Sequence, residues 1–587
     1  RNLTVINDTV KLVKENKGID IDINNIPLDD ADVYNMIAKG KTVGVFQLES
    51  KGIRDVLKKM KPSCFEDIIA GISLYRPGPM EYIPEYVKNK KNPSKIQYKT
   101  EALRPILDVT YGVMVYQEQV MNIVRSLAGY SFGRSDLVRR YMSKKKMDKM
   151  LEEKEYFING KTDENGNVEI KGCVRNGISK KVASEIFDQM TSFAEYAFNK
   201  SHAAVYALIT YQTAYLKYHY PAEFMAAQMT SAYDDYDKLA VFIDDIKRLK
   251  TPDGEKVKLI PPTIEKSKGN FSCDGNSIIY GLDAIRNVGK SVSRDIEAHG
   301  NNYEDIYDFF LSLSKESLNK KNIEGLIFAG AIPFYNANTL LENYENLVKY
   351  AKVRNANTGQ TSIFDLIGDD IKPEIKKFPN YKKDDLLAME KEALGVYLSG
   401  HPLKKHKSLI DEFVNMTGEE LAVTTRKDDV VMAGIIKAIK TIYTKKGEKM
   451  AFLTLEDETS TYEGVIFPKS MMSCDTLLYE NNIVALKGDI DESGSLVIQN
   501  IVPIEDIEFL SSAKTRSYNI LKIRCSRYEA DEVENIIKSF KGNIPVLRYD
   551  VESGKHFWLR TKARYDGLLQ IKARNVIGKD NIKWDVI

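Results

Sequence analysis

Tyr196-Ala-Phe-Asn-Lys-Ser-His-Ala-Ala-Val-Tyr206 opens a run of helical periodicity that extends to about Tyr220. Most of the run is apolar, as a buried helix requires. Asn199, His202, Tyr206 and Thr213, however, recur at i, i+3, i+7 and i+14 and line one face with hydrogen-bonding and aromatic groups. Such a face predicts a polar ligand. Upstream, Ser135-Asp-Leu-Val-Arg-Arg-Tyr-Met-Ser-Lys-Lys-Lys146 offers a capped helix start followed by Arg139, Arg140, Lys144, Lys145 and Lys146. Two guanidiniums and an ammonium one turn further on suit a triphosphate clamp. Read without context, the same cluster is better described as a solvated basic face beside a core histidine.

Context comes from Tyr75-Arg-Pro-Gly-Pro79 and Thr110-Tyr-Gly-Val-Met-Val-Tyr-Gln-Glu-Gln119. With the Arg139/Arg140 helix and the Asn199 to His202 stretch, they closely resemble the fingers of the bacterial C-family replicative DNA polymerases, the family of the polymerase III alpha subunit. In that family the fingers bind the incoming nucleoside triphosphate. The resemblance therefore implies phosphate contacts for Arg139 and Arg140, and nucleotide-pocket roles for His202, Asn199, Lys200, Tyr206, Arg76 and Lys144.

With 587 residues the chain exceeds a single core and predicts about four domains. Its 43% hydrophobic and 29% charged residues are those of an ordinary soluble protein. No run approaches the roughly 20 apolar residues of a membrane span. A formal charge of +2, from 85 basic and 83 acidic residues, excludes a broad polycation. Nucleic-acid contacts must come from local patches. Cys64, Cys173, Cys273, Cys474 and Cys525 form no CxxC pair, which argues against structural zinc and disulfides and for a reducing cytoplasm. The start, Arg-Asn-Leu-Thr, has no initiator Met and reads as a piece of something longer.

Along the chain, Leu3, Ile6, Val10 and Val13 predict a helix to about residue 17. Gly18 to Ile23 alternates as a strand or extended linker. Its Asp20/Asp22 pair invites a metal, but no third carboxylate supports one, and solvated linker is the reading adopted. Asp29 or Asp30 caps a helix to Ala38, Thr42 to Gln47 reads as a short strand, and Gly52 to Lys59 as a helix. From Pro62 to about Leu249 the pattern is helical, with a polar, hairpin-like insertion at Asn159 to Gly172. Lys88, Lys90, Lys91, Lys95 and Lys99 suit either a loop on a nucleic-acid backbone or an ordinary solvated loop.

Ile285 to Ile296 reads as helix, Gly-containing hairpin and helix, and Leu318 to Ile327 as a degenerate copy. This resembles a tandem helix-hairpin-helix. Backbone N–H groups near Val288, Gly289 and Lys290 would then approach DNA phosphate without reading sequence. Gln360-Thr-Ser-Ile-Phe-Asp365, in an aperiodic polar stretch, has the make-up of a docking peptide: Ile363 and Phe364 to bury, Gln360 and Ser362 around them. It closely resembles the family's sliding-clamp-binding motif.

Five strands at Val430 to Ile442, Met450 to Asp457, Glu463 to Phe467, Ile483 to Asp489 and Leu496 to Ile501, with a helix between the third and fourth, suit an OB-fold. Lys445, Lys446 and Lys449 are backbone candidates for single-stranded template. Tyr443 and Phe452 are either stacking platforms or core. The last 70 or so residues read strand, helix, two strands, helix and a short strand near Ile582. Their position matches the family's clamp-loader-binding region.

The expected fold class is multidomain: mainly α-helical fingers and a tandem helix-hairpin-helix, then a five-stranded OB-type β-barrel and a small α+β C-terminal domain. The expected boundaries are 1–255 for the fingers (1–30 a residual palm–fingers junction), 256–350 for the helix-hairpin-helix pair, 351–425 for the clamp-binding linker and helical segment, 426–510 for the OB-fold and 511–587 for the last domain. Placing the barrel after the clamp motif matches the branch with a C-terminal OB domain. The resemblance further implies a palm with three aspartates and two Mg2+ ions upstream of Arg1, so that this chain carries no catalytic residue and does not polymerise alone. The partners implied are primer-template DNA, dNTP, sliding clamp and clamp loader, in the cytoplasm. The alternative is a non-catalytic DNA- and clamp-binding replisome scaffold.

Overall fold

The computed structural model describes residues 1–144, 146–194, 198–356, 372–421, 428–444, 446–491, 495–510, 520–563, 567–578 and 581–585. These form two compact units, Arg1–Leu398 and Ser399–Ile587.

The first unit starts with α1 (Asn2–Lys17), α2 (Ala31–Ala38), α3 (Lys51–Met60), α4 (Phe65–Leu74), α5 (Ile83–Lys91) and α6 (Arg104–Leu107). Then follow α7 (Gln117–Ala128), α8 (Phe132–Ser143), α9 (Met147–Asn159), the hairpin β1 (Lys161–Thr162) and β2 (Val168–Ile170), and α10 (Lys180–Ala194). The centre is α11 (Lys200–His219), with α12 (Pro221–Thr230) and α13 (Tyr236–Ile246) after it. A small sheet of β3 (Lys258–Ile260), β4 (Ser272–Asp274) and β5 (Ser277–Ile279) precedes α14 (Lys290–Ala298), α15 (Ile306–Ser312), α16 (Lys320–Phe328), α17 (Ala337–Ala356) and α18 (Lys383–Leu394).

Helix α11 divides two cores. Ala203, Ala207, Tyr211 and Ala214 pack with Ile68, Ile69 and Ile72 of α4, while Leu216 faces a second core. The small residues let the two backbones come close, which is why this stripe is alanine and not leucine. The second core runs from Val5 to Val396 and crosses residue 255 without a break, because α12 and α13 share it with the helices after Pro261. A third holds α7, α9 and α10 together through Ile123, Phe157 and Phe187.

Several local expectations change. Thr42 to Gln47 is a string of turns, not a strand. Gly44 and Gln47 have φ of 74° and 64°, a left-handed conformation incompatible with a pleated ladder. Buried Lys217 and Gln228 donate to the carbonyls of Val43 and Gly44, each at 2.6 Å. The lysines expected in a loop at 88–91 lie on α5: Lys90 pairs with buried Asp67 at 2.6 Å, and Lys99 with Glu185 at 3.1 Å. In the helix-hairpin-helix region the first helix shrinks to a 3-10 turn, Leu282–Ala284, before α14; α15 and α16 form the second copy.

The second unit contains α19 (Lys407–Phe413) and α20 (Gly418–Leu421), then a closed barrel. Its strands are β6 (Val430–Tyr443), β7 (Lys449–Glu456), β8 (Thr461–Ile466), β9 (Ile483–Ile490) and β10 (Leu496–Pro503), with α21 (Pro468–Cys474) after β8. β10 closes the barrel by pairing parallel with β8 and antiparallel with β9, and β6 pairs with both β7 and β9. The last domain comprises β11 (Ile520–Cys525), α22 (Ala530–Ser539), β12 (Lys541–Ile544), β13 (Val546–Asp550), β14 (His556–Trp558), α23 (Gly567–Ile577) and β15 (Ile582–Asp585). Three strands thus lie between its helices where two were expected, because Pro545 interrupts the ladder between β12 and β13.

Candidate nucleotide and nucleic-acid interface

The candidate site starts from one backbone contact. Val115 accepts the Phe198 N–H at 3.3 Å, and the Phe198 carbonyl accepts the Gln117 N–H at 2.9 Å. This bridge sets the N-termini of α7 and α11 side by side. Helix α11 therefore begins at Lys200, later than the sequence periodicity suggests. Asn199 is its N-cap, and its side chain accepts the His202 N–H at 2.8 Å. Asn199 is thus engaged in capping. Lys200 is also turned inward: its N–H donates to Glu118, and its ammonium pairs with Glu66 at 3.0 Å. Thr213, expected on the ligand face, is buried and accepts the Phe46 N–H at 3.1 Å.

The aromatic row that the structure forms here is Phe198, His202 and Tyr206, spaced at i, i+4 and i+8. The Phe198 and His202 ring centroids are 5.6 Å apart, those of His202 and Tyr206 4.7 Å, and Tyr206 stacks on Phe46 at 5.7 Å. Arg76 caps the row with its guanidinium 3.8 Å from the Phe198 centroid. Arg76 and His202 are exposed.

Helix α8 begins at Phe132, one turn before the expected start, and Ser135 lies inside it; the Ser131 hydroxyl accepts the Arg134 N–H at 3.2 Å. Arg139 donates to Gln117 Oε1 at 3.4 Å, which links the arginine helix to the Phe198 bridge. Asp136 grips both arginines, Arg139 at 2.7 Å and Arg140 at 2.8 Å. The Arg139 hydrogen bond, with the charge of both guanidiniums, holds the Asp136 carboxyl below its ordinary range. The structure thus brings Arg76, His202, Tyr206 and Arg139 into one linked cluster, with Arg140 beside it on Asp136. Lys144 is exposed at the end of α8, and residue 145 lies outside the described residues. Phe198, Gln117 and Asp136 escape a reading of the sequence alone. The i+3 and i+4 spacing from Asp136 to its arginines was the available signal.

In the hairpin before α14, the Val288 N–H donates to the Ile285 carbonyl at 3.2 Å and the Gly289 N–H to Asn322 Oδ1 at 2.9 Å. Two of the three expected phosphate donors thus have internal partners, and Val288 is buried. Lys290 is exposed, with its ammonium 4.7 Å from the Tyr233 ring centroid. On the barrel, Tyr443 is 70% and Phe452 45% exposed, which settles against their being core. They lie along the β6–β7 hairpin opposite Lys449 and Lys440, and Lys446 is exposed in its turn. Lys445 and the docking peptide with Gln360, Ser362, Ile363 and Phe364 lie outside the described residues.

Metal donors are a different matter. Asp20 pairs with Lys14 at 2.9 Å, and Asp22 accepts from Asn24 and Asn25 to form a turn. Among the described residues no group of three or more His, Cys, Asp or Glu could hold a metal ion. This donor set does not fit the magnesium that the resemblance implies. Among the described residues no helix is long and apolar enough to cross a membrane.

A helical bundle with an arginine–aromatic cluster, a helix-hairpin-helix region and an OB barrel define a multidomain nucleic-acid-handling protein. Family models match in the same order: bacterial DNA polymerase III alpha subunit finger domain over residues 2–165, helix-hairpin-helix motif over 256–339 and OB-fold nucleic acid binding domain over 430–504. The chain belongs to the DNA polymerase III alpha-subunit family. It is 36% identical to the DNA polymerase III subunit alpha of Bacillus subtilis (strain 168) over 94% of this chain and 48% of that relative. With the subunit of Thermus aquaticus it shares 34% identity over 93% of this chain and 44% of the relative. The chain thus spans about half the length of the curated relatives it matches.

Proposed function

We propose that the chain supplies the nucleotide- and DNA-holding surfaces of a bacterial replicative DNA polymerase, which adds dNTPs to a primer 3′-hydroxyl under direction of a template. The observation that carries this reading is the Arg76–Phe198–His202–Tyr206 row, joined through Gln117 to Arg139. A triphosphate would exchange Asp136 for its own oxygens on Arg139 and Arg140, with Lys144 one turn on. The sugar and base would lie along His202 and Tyr206. Fixed guanidiniums of this kind stabilise charge developing on a leaving pyrophosphate by about 2 to 4 kcal/mol each. Magnesium would be held by carboxylates other than those described, and the 587 residues alone are proposed not to polymerise.

Primer-template DNA would lie against Lys290 and the barrel, with single-stranded template on Tyr443 and Phe452. Gln360, Ser362, Ile363 and Phe364 would dock on a sliding clamp, and the last domain on a clamp loader, in the cytoplasm. The alternative reading is a non-catalytic DNA- and clamp-binding replisome scaffold.

The test is titration of a fluorescent dNTP into the chain with primer-template present. Nucleotide binding that weakens at least tenfold in Arg139→Ala supports the polymerase reading. DNA binding with no nucleotide binding, or an unchanged Arg139→Ala, supports the scaffold.

A further inference from the structure

A cavity of about 660 Å³ opens between α3, α5 and the 3-10 turn Pro79–Tyr82, and no residue of the arginine–aromatic cluster lines it. Helix α3 turns Ile53, Leu57 and Met60 into the core, which leaves Val56 on the cavity side. The apolar part of the lining is aliphatic. Ile83 is buried, Val56 and Val87 are half-buried, and Met80 is 41% exposed. Among the described residues no aromatic ring lines the cavity.

The charged part of the lining has one sign. Lys58, Lys59, Lys61 and Lys91 contribute to it, all exposed, and no carboxylate does. Lys58 reaches Asp55 at 3.4 Å. Among the described residues, Lys59, Lys61 and Lys91 have no carboxylate within ion-pair distance. Lysines at the C-terminal ends of α3 and α5 complement the helix dipoles, which accounts for their charge but not for the aliphatic surface left open beside them.

The two walls are fixed to each other. The Lys90 ammonium donates to the Lys61 carbonyl at 2.7 Å and to Asp67 at 2.6 Å, tying the end of α3 to α5. Lys61 itself is left-handed, with φ 46° and ψ 66°, at a helix end where glycine is the usual residue. A lysine held there against its backbone preference keeps a cation at the cavity that the turn does not need.

We propose that this groove docks an acidic amphipathic segment of a partner protein, with aliphatic anchors among Val56, Ile83 and Val87 and carboxylates on Lys59, Lys61 and Lys91. The unbranched thioether of Met80 adapts to the shape of the anchor. DNA would answer the lysines alone. Phosphates have no use for an aliphatic cavity, and the lining offers bases no ring to stack on.

Peptides with aliphatic residues at i, i+3, i+4 and i+7 and varied residues between them would be displayed and selected on the full chain. Binding would be read from the chain carrying 13C at its methionine methyls, with the Met80 signal assigned through Met80→Leu. Selected peptides are expected to carry Asp or Glu beside their anchors and to shift the Met80 methyl. Replacing Lys59, Lys61 and Lys91 together by Gln should weaken them about tenfold, as the loss of three exposed ion pairs implies. All three lysines are exposed, so that variant should melt with the wild type. Met80→Glu, which leaves the lysines in place and puts a carboxylate beside the anchors, should weaken the same peptides. Selection that yields no peptide shifting Met80 overturns the proposal, as does equal binding to the folded triple variant. A primer-template duplex that shifts Met80 where the peptides do not overturns it in favour of DNA.

Discussion

The guanidinium of Arg76 lies 3.8 Å above the centroid of the Phe198 ring, and this contact ties the Arg-Pro-Gly-Pro turn to the start of the central helix α11. Arg76→Lys keeps the charge but loses the planar stack, and Phe198→Leu keeps bulk but loses the π-face. A cation–π contact contributes about 0.5 to 2 kcal/mol. Each substitution should therefore weaken dNTP binding by roughly two- to thirtyfold. The double variant should be no worse than the more damaging single one. Nucleotide titration of the three variants tests this coupling.

Asp67 gives the fingers an acid-sensitive joint. Burial pushes its carboxyl up, but the Lys90 ammonium, the Ser63 N–H and the Tyr86 hydroxyl outweigh that and hold its pKa below the ordinary 3.8. A folded pKa below the unfolded one means that the stabilisation is complete above the unfolded value and fades as pH falls through the folded one. Lys90→Met should cost about 3 to 5 kcal/mol, since it strips a buried carboxylate of its cation. It should also move the acid loss to higher pH. Hydrogen exchange of α4 and α5 between pH 3 and 7 would show both effects; unchanged protection in the variant would refute them.

On the barrel, Tyr443→Ala and Phe452→Ala should each weaken oligothymidylate binding by about 1 to 3 kcal/mol. Both rings are exposed, so the melting temperature should hardly move. Fluorescence anisotropy alongside a thermal melt separates the two quantities.

Gly488 lies where β9 meets the irregularity of β10 between Ile498 and Asn500. A Cβ there would come within 2.1 Å of the Val497 carbonyl oxygen. The neighbour is backbone and cannot swing aside. Gly488→Ala should therefore destabilise the barrel by about 1 to 3 kcal/mol. A barrel melting at the wild-type temperature would contradict this.

The barrel strands were legible because Val430 to Val502 alternates strongly and its turns carry Gly or charge; all five lie where the pattern puts them. Thr42 to Gln47 misled because apolar alternation is blind to the left-handed Gly44 and Gln47, which exist to bring Val43 and Gly44 carbonyls to Lys217 and Gln228. The expected row on α11 lost its first member for a related reason, with Phe198 in the place of Asn199. Asn199 looks like a ligand donor until the bridge at Phe198 makes it the helix cap. Gln117 could not be found at all without the fold, since its partner Arg139 lies 22 residues away on another helix. Pairwise tertiary contacts of that kind leave no periodic trace.

Asp136 has a consequence for selectivity. One carboxylate already neutralises part of two guanidiniums, so a ligand entering there must evict it. A singly charged anion merely trades places and gains almost nothing. A polyphosphate delivers several charges for the one displaced and keeps the surplus. Asp136 would thus set a threshold that screens out chloride and carboxylates before any base is inspected, and the pocket would weigh its ligand before reading it.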